Sequence, residues 1–459
     1  MWLVTKYRNM KKENVLTNGN IKKGLLQFAI PLLLGSALQQ LYGMADILFV
    51  SRCLGTHASA AVGASSTIVT CLIGLFTGIS TGAGLIIANY RGAKNVKEEK
   101  KSIRAALCMG IVGGIIVMVV GLLLSRQILV WMKTPKEILS LALLYIRIYF
   151  LAIPFMILYN LCSAIFQALG DSKRPVILLA VGGVLNVFLD ALLIAWLPFG
   201  VVGAGVATLV SQGVSSIVLF VILIKREQLM PLRDSKITVY IPQILKIGLP
   251  AGIQAVILTM SNLLVQYYIN STGENAVAAF TIYYKVENFI YMPILAFGQS
   301  MLVFTGQNLG AGNRKRAWRG LRECNILSGE VTIVMSMLVV FFATEVMHMF
   351  STDEAVVRLG CHIMRFIYPW YVVYSLMEVT AAFIKGNGKT FSAMIISMVF
   401  LCGSRIIFLK LFTYLLEGID GVAIVYPVTW GLAMVVYVLY ALILRRKGSE
   451  ELQRKEAVL

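Results

Sequence analysis

Twelve apolar runs, each long enough to cross a bilayer as a helix, constrain this chain more than any other feature. They fall at 24–51, 58–86, 103–126, 139–169, 174–197, 203–225, 242–270, 276–307, 318–345, 354–385, 390–416 and 421–444. Inside lipid every backbone N–H and C=O must find its partner within the protein. Runs of this length, without period-2 alternation, do so as helices rather than as barrel strands. With 58% hydrophobic and only 14% charged residues, the chain has no room for a separate soluble domain. The expected fold is all-α and integral to a membrane, with twelve transmembrane helices.

The basic residues set the orientation. With the amino terminus inside, the inner segments collect Lys6, Arg8, Lys22, Arg91, Lys94, Arg104, Lys173, Arg226, Arg233, Lys236, Arg316, Lys389, Arg446 and their basic neighbours. The outer loops hold only Arg52, Arg126, Lys133 and Lys136. Such an asymmetry needs an even number of spans, because one missing span would swap the side of every later loop. Both termini are therefore expected in the cytoplasm and the chain in the cytoplasmic (inner) membrane. The net charge of +19 is spread over many short loops rather than gathered on one face, so it marks topology and not a nucleic-acid partner.

The chain also repeats itself. Gln27-Phe-Ala-Ile-Pro31 matches Lys246-Ile-Gly-Leu-Pro250, and Ala58-Ser-Ala-Ala61 matches Ala276-Val-Ala-Ala279. Gly92-Ala-Lys-Asn95 matches Gly310-Ala-Gly-Asn313, Pro154 and Tyr159 match Pro369 and Tyr374, and Gly200-Val-Val-Gly203 matches Gly418-Ile-Asp-Gly421. The offset stays between 215 and 219. Each half has an even number of spans, so the halves share an orientation, as parallel repeats do. The expected organisation is a cytoplasmic segment 1–23, a first lobe 24–225, a cytoplasmic linker 226–241, a second lobe 242–444 and a cytoplasmic tail 445–459.

The first span carries a bare carboxylate, Asp46, with no Lys or Arg within a helical turn. An acid at the bilayer centre costs roughly 2.5–3.5 kcal/mol on insertion scales, so it should face a protein interior or a watery cavity. In the fifth span Asn186 and Asp190 are four apart and share one helix face. Two carboxylates in one poorly solvated pocket repel each other, and a bound proton or cation relieves the repulsion.

Several stretches together resemble the multidrug and toxic compound extrusion (MATE) family. They are Ala45-Asp-Ile-Leu-Phe-Val-Ser-Arg-Cys-Leu-Gly55, Gly92-Ala-Lys-Asn95, Gln167-Ala-Leu-Gly-Asp-Ser-Lys-Arg-Pro175, Asn186-Val-Phe-Leu-Asp190, Gly200-Val-Val-Gly-Ala-Gly-Val-Ala-Thr208 and Gln307-Asn-Leu-Gly-Ala-Gly-Asn313. The resemblance covers roughly residues 24–445. It implies two pseudo-symmetric six-helix lobes in a V, and export of amphipathic, often cationic, organic compounds and drugs against inward H⁺ or Na⁺. It also implies a coupling-ion site in the first lobe, at Asp46, Asn186, Asp190 and Thr208, whose oxygens suit either a proton or Na⁺. Some family branches carry a glutamate on the seventh span. Here Gln254, Leu258 and Asn262 stand in that region, which favours coupling through the first lobe.

Candidate cleft residues are Gln40, Tyr42, Tyr284, Glu287, Asn288 and Glu378. Lys285 and Glu287 are two apart and should point away from each other, whereas Glu378 could bond Arg405 across helices. Pro31, Pro154, Pro250, Pro293 and Pro369 each lack an amide donor and are candidate kinks. The seven cysteines and three histidines make no metal-ligand spacing, and no H-E-x-x-H, G-x-S-x-G or G-x-x-x-x-G-K-[ST] occurs. The expectation is a monomeric transporter in the lipid bilayer, not an enzyme, with no cofactor beyond its coupling ion. The rival is a flippase of lipids or lipid-linked precursors, whose cleft would present cations to phosphate.

Overall fold

The computed structural model describes residues 16–197, 199–230, 237–416 and 418–456; at 47, 56–61, 64–68, 237 and 448–456 it describes the backbone alone. Of the expected terminal segments and linker, residues 1–15, 231–236 and 457–459 lie outside it, with Lys6, Arg8, Arg233 and Lys236 among them.

Among the described residues, twelve helices are long and apolar enough to span a membrane. In chain order these are α1 (Ile21–Gly55), α2 (Val69–Gly92), α3 (Val96–Trp131), α4 (Lys136–Ala168), α5 (Lys173–Trp196) and α6 (Val201–Glu227). The second set is α7 (Tyr240–Asn270), α8 (Glu274–Gly310), α9 (Arg314–Phe341), α10 (Glu354–Gly386), α11 (Thr390–Leu415) and α12 (Asp420–Lys447). The helical backbone is continuous from Ile21 to Gly92, broken only at Gly55, where φ is +79°. The second span runs on to Gly92, past the expected end at 86, because Ala93 still donates to the carbonyl of Asn89.

The internal repeat reappears as geometry. In the α2–α3 turn Lys94 takes the left-handed conformation (φ +55°), and its counterpart Gly312 in the α8–α9 turn does the same (φ +75°). Glycine adopts this conformation without steric cost; at position 94 the repeat keeps the turn with a lysine. Asn20 and Asn95 cap α1 and α3, each accepting from a backbone N–H three residues on.

The two sets of six helices form two lobes that meet at one end. Here α2 crosses α7 through glycines. A Cβ at Gly78 would lie 2.1 Å from the nitrogen of Gly252, and one at Gly82 would lie 2.5 Å from that of Gly248. Lipid gives helices no hydrophobic reason to associate, so close backbone approach through small residues supplies the packing. α8 is the most buried helix, and its inner half, from Phe297 to Phe304, packs into a core shared with Leu25, Phe28 and Ile87 of the first lobe. At the opposite end of the helices, Trp196, Phe341 and Tyr414 are more than three-quarters exposed, as expected for rings lying against lipid near the interface.

Candidate functional site

In the first lobe α1, α4, α5 and α6 build one polar pocket. α5 brings Asn186 and Asp190 to the interior one turn apart, both buried. Immediately after Asp190 the helix widens into a π-segment, Ala191–Trp196, a departure common at functional sites. Small residues let the neighbours close in. A Cβ at Gly183 would lie 2.8 Å from the ring of Tyr42, and one at Gly182 would lie 2.1 Å from Oγ of Ser215. Tyr42 of α1 is thus seated on α5 one turn before Asn186, and Ser215 of α6 donates to the carbonyl of Leu178 at 3.1 Å.

Asp190 is fully buried, yet neither of its carboxylate oxygens has a hydrogen-bond partner among the described residues. Oδ1 of Asp46 is buried and unpartnered in the same way. The two acids lie within electrostatic reach of each other and of Tyr145 on α4. The rings of Tyr145 and Tyr149 lie 6.0 Å apart, tilted by 44°. Val50, Tyr145, Ile194, Val201 and Ala204 pack together as an apolar cluster that joins α1, α4, α5 and α6.

Thr208 is half-buried and spends its proton on the carbonyl of Ala204 at 3.2 Å, leaving its lone pairs free to accept or ligate. Orphaned buried carboxylate oxygens are costly unless a proton, water or cation satisfies them. An oxygen-only donor set suits a hard monovalent cation as well as a proton. Among the described residues no three His, Cys, Asp or Glu side chains gather as a metal-holding group.

The candidate cleft residues divide. Gln40 and Asn288 are exposed, whereas Tyr42 belongs to the first-lobe pocket. Glu287 is buried in the second lobe and accepts from the hydroxyls of Tyr371 and Tyr283, the latter at 3.4 Å. Tyr284 bonds Tyr426 at 2.8 Å, and Tyr368 donates to the carbonyl of Tyr283 at 3.0 Å. The guanidinium of Arg405 sits 5.3 Å over the ring of Tyr426 and donates to Asn262 (2.9 Å) and Ser261 (3.3 Å). It is held there rather than by Glu378.

Glu378 lies against Gly298, three turns and about 16 Å along α8 from Glu287, so the two glutamates do not form one site. Lys285 points away from Glu287, as expected, to the ring of Phe350. Sequence reasoning missed Tyr145, Tyr149 and the packed tyrosine cluster around Glu287. The spacing of Tyr368, Tyr371 and Tyr374, three apart on one helical face, was the available signal.

Pro31 lies within α1, fifteen residues before Asp46. Pro31→Ala restores an amide donor and removes the ring clash. It is expected to change the rate of transport while the protein still folds and elutes as one species on size exclusion. An unchanged rate would show that α1 need not bend there.

A family model, MatE, matches residues 31–192 and 250–409, one block in each lobe. The chain is 28% identical to the "Probable multidrug resistance protein YpnP" of Bacillus subtilis (strain 168), over 86% of its own length and 89% of that protein's. It is 24% identical to the "Multidrug export protein MepA" of Staphylococcus aureus (strain N315), over 87% and 89%. Its fold matches a solved structure described as the outward-facing conformation of a multidrug resistance MATE family transporter, with a TM-score of 0.88 at 23% identity, covering 94% of this chain and 98% of that one.

Proposed function

Since the chain belongs to the MatE family of multidrug and toxic compound extrusion transporters, we propose that it is a secondary antiporter. It exports amphipathic, often cationic, organic compounds across the cytoplasmic membrane in exchange for H⁺ or Na⁺. The observation that carries this reading is the set of buried carboxylate oxygens on Asp46 and Asp190 without partners. A coupling ion must bind one conformation better than the other, because only differential affinity moves an equilibrium. Asp46 on α1 and Asp190 on α5 meet that need, since a proton or Na⁺ between them ties α1 to α5 and its departure frees α1.

The lobes meet at the end that carries Arg91, Lys94, Lys101, Arg174, Arg226 and Arg316, and by the charge asymmetry that end faces the cytoplasm. The second reading, a lipid or lipid-linked precursor flippase, is favoured by one observation only: the buried guanidinium of Arg405 in the second lobe.

The test is export of a fluorescent cationic dye by inverted vesicles, with H⁺ and Na⁺ gradients imposed separately. Movement driven by one gradient supports antiport and identifies the ion. If a folded protein moves no dye under either gradient but translocates labelled lipid headgroups, the flippase reading replaces it.

A further inference from the structure

Among the polar contacts that tie the lobes at their meeting end, two occupy equivalent places in the repeat. Glu98 is the third residue of α3 and Arg316 is the third residue of α9. Each grips the segment that enters the first helix of the other lobe. Glu98 accepts from the hydroxyl of Tyr240, the buried residue that opens α7. Arg316 donates to three backbone carbonyls just before α1: Leu16 (3.3 Å), Gly19 (3.0 Å) and Asn18 (3.1 Å).

Both grips are built into their surroundings. Lys101 pairs with Glu98 at 3.0 Å, and Asn95 caps its backbone N–H. Arg316 lies 5.7 Å over the ring of Phe304, and fully buried Asn308 of α8 donates to the same Leu16 carbonyl at 3.1 Å. Leu16 is itself buried, and Lys22 adds an ion pair to Glu323 at 3.5 Å. A guanidinium fork spread over three carbonyls fixes a backbone segment in one place, which an ammonium could not do.

We infer that Glu98–Tyr240 and Arg316 with residues 16–19 are a matched pair of latches that hold this end of the transporter shut. Each must release before the lobes can part there. Arg316, Glu98 and Tyr240 are then positioning residues of the transport cycle, distant from the ion pocket and from the cleft. The inference rests on the alternating-access reading proposed above. Its physical basis is that contacts present in only one of two states set the balance between them.

The test uses the full chain in lipid nanodiscs without substrate. Spin labels on unnatural amino acids replace Lys173 and Lys389, exposed residues at the start of α5 and immediately before α11. Arg316→Ala should raise the population with a longer distance between the lobes about fivefold or more, and Arg316→Lys should restore it only in part. Tyr240→Phe, which removes one hydroxyl and leaves the packing, should shift the distances in the same direction.

A control pair at Lys173 and Lys225, both in the first lobe, should stay unchanged. Unaltered distances between the lobes in both folded variants would overturn the latches, and so would equal broadening of the control pair. A shift in a protein that exports none of the compounds tried would sustain the latches and count against drug efflux.

Discussion

Replacing Asp190 with asparagine is expected to reduce gradient-driven export to the background of empty vesicles, a loss of at least about tenfold, while the protein still folds. The carboxylate is fully buried and makes no hydrogen bond among the described residues, so the substitution breaks none. The amide cannot ionise and so never carries the cost of a buried unpaired charge, and the thermal midpoint should hold or rise. A structural aspartate would behave the other way, because removing its bonds would lower stability first. Asp46→Asn should lose coupling in the same manner, since Asp46 acts on Asp190 through space and has an orphaned oxygen of its own. The measurement is dye export under imposed H⁺ and Na⁺ gradients beside a melting curve for each variant. Normal export by both variants would remove the coupling site from the first lobe.

A methyl group added at Gly92 or Gly310 should impair transport for a different reason. At Gly92 the new Cβ would lie 1.9 Å from the carbonyl oxygen of Gln307, and at Gly310 it would lie 2.0 Å from that of Asn89. These are backbone atoms of the facing helix and cannot rotate away. Overpacking of this kind costs about 1–3 kcal/mol. If the cost falls only on the state in which this end is shut, the balance of states moves by a factor of about 5 to 150. Gly92→Ala and Gly310→Ala should therefore reduce export and increase the distance between the lobes at Lys173 and Lys389. Gly113→Ala, where nothing lies within 4 Å, serves as the control and should transport normally. Unimpaired export by both seam variants would mean that this seam does not close during the cycle.

The two predictions concern parts of the molecule that differ in how far the sequence reveals them. Asp46, Asn186 and Asp190 were legible because an unpaired acid in a span is rare, and a spacing of four fixes a shared helix face. That Asp190 lacks partners was not legible, since it depends on what α1, α4 and α6 bring to it. The seam at Gly92 and Gly310 was visible only as a repeated motif. Its use as a point of backbone contact between α2 and α8 follows from how the lobes are set together. The glycines of α2 at 74, 78 and 82 have the small-xxx-small spacing of packed membrane helices, yet the sequence does not say that α7 is their partner.

The all-α membrane class, the number of spans and the twofold repeat can all be read from the linear chain. These are local or additive properties: a bilayer demands about twenty apolar residues per helix and internal backbone hydrogen bonding, and both can be read one segment at a time. The rest came from the packing of helices against one another. That packing seated Tyr42 on α5, separated Glu287 from Glu378, engaged Arg405 with Ser261 and Asn262, and set Arg316 over the segment that enters α1. Each of these depends on how a helix is rotated about its own axis and how closely its neighbour approaches. Glycine seams and interhelical hydrogen bonds set that rotation and approach between residues far apart in the chain, where no linear pattern records it.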